Sequence, residues 1–157
     1  ARRNINITAL VMNNRIYGLN GGQFSPLSGE GTLATTAPFG NIDQGFDVVA
    51  LAEAAGATFV ARTSVYHVQE VSKLIGQAIS HPGFAVVEVM SQCPTYFGRK
   101  NKKGDAVAMM NLFKEHTARI GSKKAAEDKI LRGVFVEKQQ PEYCAQYDEI
   151  IRSAMSG

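Results

Sequence analysis

A regular alternation of helix and strand patterns in the middle of the chain constrains its fold most. Apolar residues recur at helical spacing over residues 46–55 and 67–80. Runs of Val, Phe and Ala over 58–62 and 84–89 are typical of buried strands, and the apolar run at 5–12 predicts another buried strand before them. Strands that alternate with helices are joined by crossover connections, so the sequence predicts an α/β fold with a parallel sheet.

Composition limits the classes of protein to consider. The chain has 157 residues, 45% of them hydrophobic and 20% charged, which is typical of one globular domain. Its net charge of +3 is too small to indicate a nucleic-acid partner, and no apolar run is long enough to span a membrane. Two cysteines make no disulfide framework, so we expect a reducing compartment and a cytoplasmic location.

The remaining segments are less regular. Residues 13–45 form a Gly-rich stretch with two prolines, and a loop this long in a compact domain is more often functional than idle. After a basic loop at 93–104, Asp105 is expected to cap a helix that runs to about Ile120. A short strand at 134–136 and a closing helix near the C-terminus complete the predicted elements, the helix being marked by Tyr143, Tyr147, Ile150, Ile151 and Ala154.

The segment after the first strand is the best candidate for a ligand site. Open α/β sheets bind ligands outside the carboxyl ends of their strands, which is where Asn13–Gly18 should lie. An Asn carbonyl oxygen and a backbone carbonyl two residues later are suitable ligands for Mg²⁺, and glycines let the backbone approach a diphosphate. The alternative is an ordinary connecting turn, because Asn and Gly are common turn residues.

The particular residues here resemble a known family. Asn13–Gly18 is similar to the second half of the thiamine diphosphate motif, in which Asn-Asn follows an upstream Gly-Asp-Gly. Together with three later segments in the same order, it resembles the β subunit of 2-oxoacid:ferredoxin oxidoreductases, most closely the 2-oxoglutarate type. The resemblance covers roughly residues 1–115, and the three later segments are 34–42, 54–62 and 91–99.

The resemblance implies a parallel-sheet thiamine diphosphate-binding fold without the N-terminal part of the domain. The chain lacks an initial Met and begins almost on a strand, so we expect it to be a fragment of a longer polypeptide or one half of a split subunit. Residues 1–121 would be the C-terminal part of the cofactor-binding domain. Residues 122–157 would be a helical and strand-containing extension to which the resemblance adds nothing.

The same resemblance assigns roles to individual residues. The side-chain oxygen of Asn14 and the backbone carbonyl of Ile16 would bind Mg²⁺, and Tyr17, Gly18 and Leu19 would lie near the thiamine diphosphate. It assigns no catalytic residue in this chain. The family's aspartate ligand and its activating glutamate are not here, since only thirteen residues precede Asn14. We therefore expect the 157 residues to be inactive alone.

Cys93 also has a counterpart in the family. It resembles the last of four cysteines that hold a 4Fe-4S cluster in these β subunits, and such a cluster needs four thiolates. A cysteine after a strand end can share the sheet edge with the thiamine site. The alternative is a small buried hydrophobic residue, which is the usual role of a lone cysteine, and we expect Cys144 in the closing helix to be structural.

The resemblance implies oxidative decarboxylation of 2-oxoglutarate to succinyl-CoA by a complex with an α subunit, with coenzyme A as acyl acceptor and ferredoxin as electron acceptor. The sequence also allows a non-catalytic assembly fragment, or an enzyme specific for pyruvate or a branched-chain 2-oxoacid. A third alternative is a thiamine enzyme of the acetolactate-synthase kind, which shares the Asn-Asn motif. Such an enzyme does not use a cluster cysteine, so Cys93 counts against it.

The basic run at 99–103 is either a solvated loop or a contact for ferredoxin or the coenzyme A phosphates.

Overall fold

The computed structural model of the protein describes residues 1–125 and 127–156. In this part of the chain, five strands form one sheet, accompanied by four α-helices and one π-helical turn. The strands are β1 (Ile7–Asn13), β2 (Phe59–Ser64), β3 (Phe84–Met90), β4 (Thr117–Arg119) and β5 (Ile130–Glu137). The helices are α1 (Val48–Ala54), α2 (Val68–Ser80), α3 (Ala106–His116) and α4 (Tyr143–Met155), and the π-helical turn covers Pro94–Gly98.

The sheet runs in the order β1-β3-β2-β5-β4, which places β3 between two strands that precede it in the sequence. β1 and β2 both pair with β3 in parallel, as expected for strands joined through helices. β5 pairs antiparallel with β2 and parallel with β4. The predicted α/β class is confirmed, and the sheet is mostly parallel rather than wholly so.

Two helices cover opposite faces of the sheet because side chains alternate along its strands. The face under α2 has a buried cluster made of Phe59, Ala61, Leu74, Ala78, Ala85, Val87 and Val89. The face under α1 has a second cluster made of Val49, Ala57, Val60, Val86 and Val136. Both predicted helices in this region therefore exist. α1 starts two residues later than predicted because Asp47 caps it, accepting hydrogen bonds from the amides of Val49 and Ala50 at 2.9 and 3.2 Å.

β1 differs from the buried strand that the sequence predicted. It lies at the edge of the described sheet and pairs only with β3. Ile7, Leu10 and Met12 remain 51%, 47% and 59% exposed, because no further strand or helix in the described residues covers them. The carboxyl end of β1 is nevertheless well packed, since Asn13 is buried there.

The predicted helix from Asp105 to Ile120 is right at its start and wrong at its end. The Asp105 side chain caps α3 by accepting from the Ala108 amide at 2.8 Å. The helix ends at His116, because the next three residues extend into β4 and pair with β5. Ile120, which the helical pattern placed inward, is 43% exposed. Strand pairing across the sheet has replaced the last helical turn.

The long loop between β1 and α1 is held by side-chain hydrogen bonds rather than by regular structure. The Asn41 amide donates to the carbonyls of Ser28 and Asp43 at 3.1 and 2.9 Å. Asn101, which follows the π-helical turn, bonds to both backbone groups of Leu33 at 2.8 and 3.0 Å. These bonds fix the loop over the carboxyl ends of the strands.

The C-terminal part of the chain contributes β5 to the sheet and then α4. No residue of α4 is buried, and Tyr147, Ile150 and Ile151 of its apolar side are exposed. The division of the chain after residue 121 stays a prediction, and residues 126 and 157 of the predicted extension lie outside the described residues. None of the helices in the described ranges has the length and apolar character needed to cross a membrane.

Candidate functional site

The turn that follows β1 is built by two neighbouring asparagines. The Asn13 side-chain oxygen accepts a hydrogen bond from the Arg15 amide at 2.9 Å, and the Asn14 oxygen accepts one from the Ile16 amide at 3.2 Å. Asparagine favours such turns because its short side chain reaches the backbone two residues on. Arg15 lies in the left-handed region with a φ of 62°, which only a well-supported turn holds in a residue other than glycine.

The predicted cofactor residues after this turn have different environments. Ile16 is buried, while Tyr17 is half-exposed and Leu19 is fully exposed at the tip of a small loop. The Tyr17 amide donates to the Gln23 carbonyl at 2.9 Å, and this bond closes the loop. Gly22 has a φ of 81°, and a methyl group there would lie 2.6 Å from the Tyr96 ring, so this position requires glycine.

Gly18 lies between two of the predicted metal ligands. A methyl group at this position would be 3.2 Å from Cys93 Sγ and 3.7 Å from Asn14 Nδ2. Asn14 follows the end of β1 and Cys93 follows the end of β3, and these two strands are paired in parallel. The structure thus brings Asn14, Gly18 and Cys93 together at the carboxyl edge of the sheet. Cys144, in contrast, is exposed on α4.

The asparagine turn borders three cavities, and Asn13 itself lines two of them. A smaller one of about 210 Å³ is lined by the end of β1, residues 14–17 and residues 25–27. A larger one of about 530 Å³ is lined by backbone of the glycine-rich loop and by charged side chains from several elements. The charged side chains are Arg15, Glu30, Asp47, Arg62, Glu88 and Lys103.

An ion-pair chain crosses the floor of the larger cavity. Arg62 of β2 bonds to Glu88 through Nε and to Asp47 through a terminal nitrogen, both at 2.6 Å. Burial would raise the pKa of Asp47, but hydrogen bonds from the Ala50 amide and the Arg62 guanidinium outweigh it and hold that pKa below its usual value. Burial lowers the pKa of Arg15, and the nearby Glu88 carboxylate opposes this shift. Three of the charged side chains that line the cavity, Asp47, Arg62 and Glu88, are therefore paired with one another.

The residues in the turn suit a hard cation in part. Mg²⁺ prefers oxygen ligands in octahedral geometry and is usually shared with phosphates. The Asn14 side-chain oxygen and the Ile16 carbonyl are two oxygen atoms that would suit this ion. The Ile16 carbonyl accepts one bond, from the Gly18 amide at 3.0 Å, and keeps a second lone pair. Among the described residues there is no cluster of three or more His, Cys, Asp or Glu side chains suited to a metal.

A 4Fe-4S cluster does not fit these residues alone. It needs four thiolates, and Cys93 is the one cysteine of the described chain that lies at this edge. The remaining ligands would have to come from outside residues 1–125 and 127–156.

Sequence reasoning did not single out Asn13, Arg62 and Glu88. Glu88 is 2% exposed in the middle of an apolar strand, and Asn13 donates to it at 2.7 Å. A charged residue within a buried strand is itself a signal, because burying a carboxylate is unfavourable unless it is paired. Arg62 supplies that pairing from the neighbouring strand. This contact could not be predicted from the sequence, because it depends on the order of the strands in the sheet.

Comparisons with known proteins place the chain in a family. The model for the thiamine pyrophosphate enzyme, C-terminal TPP binding domain, matches residues 1–89. The 2-oxoglutarate synthase subunit KorB of Methanothermobacter marburgensis is 42% identical over 151 residues, covering 92% of this chain and 52% of that protein. The KorB subunit of Methanocaldococcus jannaschii is 39% identical, covering 99% of this chain and 59% of that protein.

A solved structure agrees with these sequence matches. The 2-oxoglutarate:ferredoxin oxidoreductase from Magnetococcus marinus, with 2-oxoglutarate, coenzyme A and succinyl-CoA bound, superimposes with a TM-score of 0.85 at 26% identity. The match covers all of this chain and 55% of that one, so the chain spans about half the length of the relatives it matches. The resemblance inferred from the sequence is confirmed, and the chain belongs to the thiamine pyrophosphate enzymes, within their C-terminal TPP-binding domain.

Proposed function

We propose that this chain is the cofactor-binding part of the β subunit of a 2-oxoglutarate:ferredoxin oxidoreductase. The complete enzyme would convert 2-oxoglutarate, coenzyme A and two oxidised ferredoxins into succinyl-CoA, carbon dioxide, two reduced ferredoxins and a proton. The asparagine turn at the carboxyl end of β1, inside the segment that the family model matches, is the observation that carries the proposal. The names of the KorB relatives and the ligands of the Magnetococcus enzyme favour 2-oxoglutarate over pyruvate or a branched-chain acid.

Within this enzyme, the turn residues hold the cofactor rather than perform the chemistry. Thiamine diphosphate supplies the carbanion chemistry when bound. Asn14 and Ile16 offer oxygen atoms to the Mg²⁺ that links the diphosphate to the protein, and Tyr17, Gly18 and Leu19 border it. Gly18 is small enough to leave space beside the Asn14 side chain.

The proposal extends to partners that this chain would need. Cys93 would be one ligand of a 4Fe-4S cluster whose other cysteines lie outside the described residues, and an α subunit would complete the active site. The basic run Arg99–Lys103 would contact ferredoxin or the coenzyme A phosphates, because both partners are acidic. A cytoplasmic location suits such oxygen-sensitive chemistry and the two unpaired cysteines.

Substitution of Asn14 tests the cofactor site. In the complete protein with its partner subunit, Asn14→Ala should weaken binding of thiamine diphosphate in the presence of Mg²⁺ by about tenfold or more, since one metal ligand is lost. Isothermal titration calorimetry measures the change. Asn20→Ala is the matched control, because Asn20 is exposed in the same loop. This variant should bind thiamine diphosphate with unchanged affinity.

Two outcomes would count against the proposal. Unchanged affinity in Asn14→Ala would show that this residue does not bind the metal. If the unaltered complete protein bound no thiamine diphosphate at all, the alternative of a non-catalytic assembly subunit would replace the enzyme. That alternative is favoured by one observation, the small number of metal ligands within the described residues.

A further inference from the structure

A buried carboxylate lies directly beneath the asparagine turn. Glu88 on β3 is 2% exposed and stands opposite Val11 of β1 and Arg62 of β2 in the strand register. One of its oxygens accepts from Arg62 Nε at 2.6 Å, and the other accepts from Asn13 Nδ2 at 2.7 Å. Both carboxylate oxygens are therefore occupied, one by the neighbouring strand and one by the turn.

The bond from Asn13 to Glu88 fixes the orientation of the Asn13 amide. An ionised carboxylate only accepts hydrogen bonds, so the NH₂ of Asn13 must face Glu88 and its oxygen must face the other way. That oxygen accepts from the Arg15 amide, which belongs to the residue with a φ of 62°. Without Glu88, the Arg15 amide would still favour this orientation, but the Asn13 NH₂ would keep only a weak contact with Met90 Sδ at 3.6 Å. The reversed orientation would place an NH₂ group against the Arg15 N–H.

The Arg15 turn in turn places the candidate metal ligands. Arg15 is clamped from both sides, since its amide bonds to Asn13 and its carbonyl accepts from Ser28 Oγ at 2.6 Å. The Asn14 oxygen and the Ile16 carbonyl lie on either side of this residue in the sequence. A change in the left-handed backbone of Arg15 would therefore move both atoms relative to each other.

We propose that Glu88 is a positioning residue for the metal-binding turn, acting through Asn13 and never touching the cofactor. The inference rests on the proposed function, because it concerns how that site is held ready. Arg62 pairs with the second carboxylate oxygen, so the buried carboxylate of Glu88 has a charged partner. This positioning role explains why β3, an otherwise apolar strand, contains the charged residue Glu88.

The test compares Glu88 with another carboxylate that pairs with a largely buried arginine. Glu70 on α2 bonds to Arg132 at 2.6 Å and to Arg119 at 3.0 Å, and it lies in a separate part of the fold. Glu88→Ala and Glu70→Ala should each lower the thermal unfolding temperature, because each removes a carboxylate partner from a partly buried arginine. Only Glu88→Ala should weaken thiamine diphosphate and Mg²⁺ binding to the complete protein, by about tenfold.

Two further variants keep the test decisive if Glu88→Ala folds poorly. Glu88→Gln retains an acceptor oxygen for Asn13, so it should recover part of the binding. Asn13→Ala removes the hydrogen bond between Glu88 and the turn but leaves the ion pair between Glu88 and Arg62 in place. It should therefore weaken binding as much as Glu88→Ala does. The double variant of Asn13 and Glu88 should be no weaker than either single one, because both act through one contact.

Amide hydrogen exchange of the cofactor-free protein provides a readout that does not depend on binding. Exchange over residues 13–18 should be faster in Glu88→Ala and Asn13→Ala and unchanged in Glu70→Ala. If the unaltered protein binds thiamine diphosphate and Glu88→Ala binds it equally well, or if Glu70→Ala weakens binding as much, the positioning role is wrong. If the unaltered protein binds none, the proposed function fails instead.

Discussion

At the scale of single residues, the packing of the candidate site depends on two glycines that leave room for neighbouring side chains. Gly18 lies between Cys93 and Asn14, and a methyl group there would crowd Cys93 Sγ at 3.2 Å while making an ordinary contact with Asn14 Nδ2 at 3.7 Å. Gly22 allows the Tyr96 ring to pack against the loop backbone. The candidate metal loop and the segment around Cys93 are therefore packed as one unit, although they follow different strands. This contact gives the thiol a defined place beside the candidate cofactor site.

Cys93 yields a prediction at this scale. In the complete protein purified without oxygen, Cys93→Ser should lower the bound iron, because a serine hydroxyl is a poor replacement for a thiolate ligand. Cys144→Ser is the matched control and should keep its iron, since Cys144 is exposed on α4. Iron is measured by a colorimetric assay together with the visible absorbance of the cluster. Full iron content in Cys93→Ser would exclude Cys93 as a ligand.

The sequence identified some of these residues and missed others for a physical reason. Asn14 and Cys93 stand in short motifs that carry their own chemistry, so each could be recognised without the fold. Glu88 and Asn13 matter through a contact between β3 and β1, which are separated by more than seventy residues. The strand order that joins them cannot be derived from local patterns. The polar residue within an apolar strand was the available signal.

At the scale of secondary-structure elements, α1 depends on its cap more than on its length. The helix has seven residues, too few to be stable without support from its ends and its packing. The Asp47 side chain caps it and also reaches Arg62 of β2, which links the helix to the ion-pair chain beneath the larger cavity. Losing this residue affects two contacts at once.

We expect Asp47→Ala to destabilise the protein by about 1 kcal/mol, mainly through loss of the cap. The exposed position of Asp47 limits the contribution of its ion pair with Arg62. Because folding lowers the pKa of Asp47, its charged form stabilises the fold above the ordinary aspartate pKa of about 4, and that contribution is lost as the pH falls through the lowered value.

Denaturant unfolding at several pH values measures this effect. The difference in free energy of unfolding between Asp47→Ala and the unaltered protein should be full at pH 7 and should shrink below about pH 4. Asp43→Ala is the control, because Asp43 is exposed nearby and lies outside the helix cap. An equal loss of stability in both variants would show that the cap contributes nothing of its own.

The elements themselves were largely predictable, and their ends were not. Periodicity identified α2 and Asp105 correctly marked the start of α3, because both signals are local. The end of α3 depends on β4 pairing with β5, and β5 lies more than ten residues further along the chain. A helical pattern that continues to Ile120 contains no information about pairing with a distant strand.

At the scale of the whole molecule, the sheet is what joins the candidate site to the rest of the chain. β3 lies between β1 and β2, carries Glu88 and ends beside Cys93, while β1 at the edge carries the asparagine turn. The alternation of strands and helices predicted the parallel core, because crossover connections require it. The antiparallel placement of β5 beside β2 was not predictable, since a long connection can return in either direction.

The most direct test of the central claim is reduction of methyl viologen by the complete protein, purified anaerobically with its partner subunit. The substrates are 2-oxoglutarate, pyruvate and a branched-chain 2-oxoacid, each with and without coenzyme A. We predict reduction that requires coenzyme A and is fastest with 2-oxoglutarate. No reduction with any of the three acids, by a preparation shown to contain thiamine diphosphate and iron, would contradict the account.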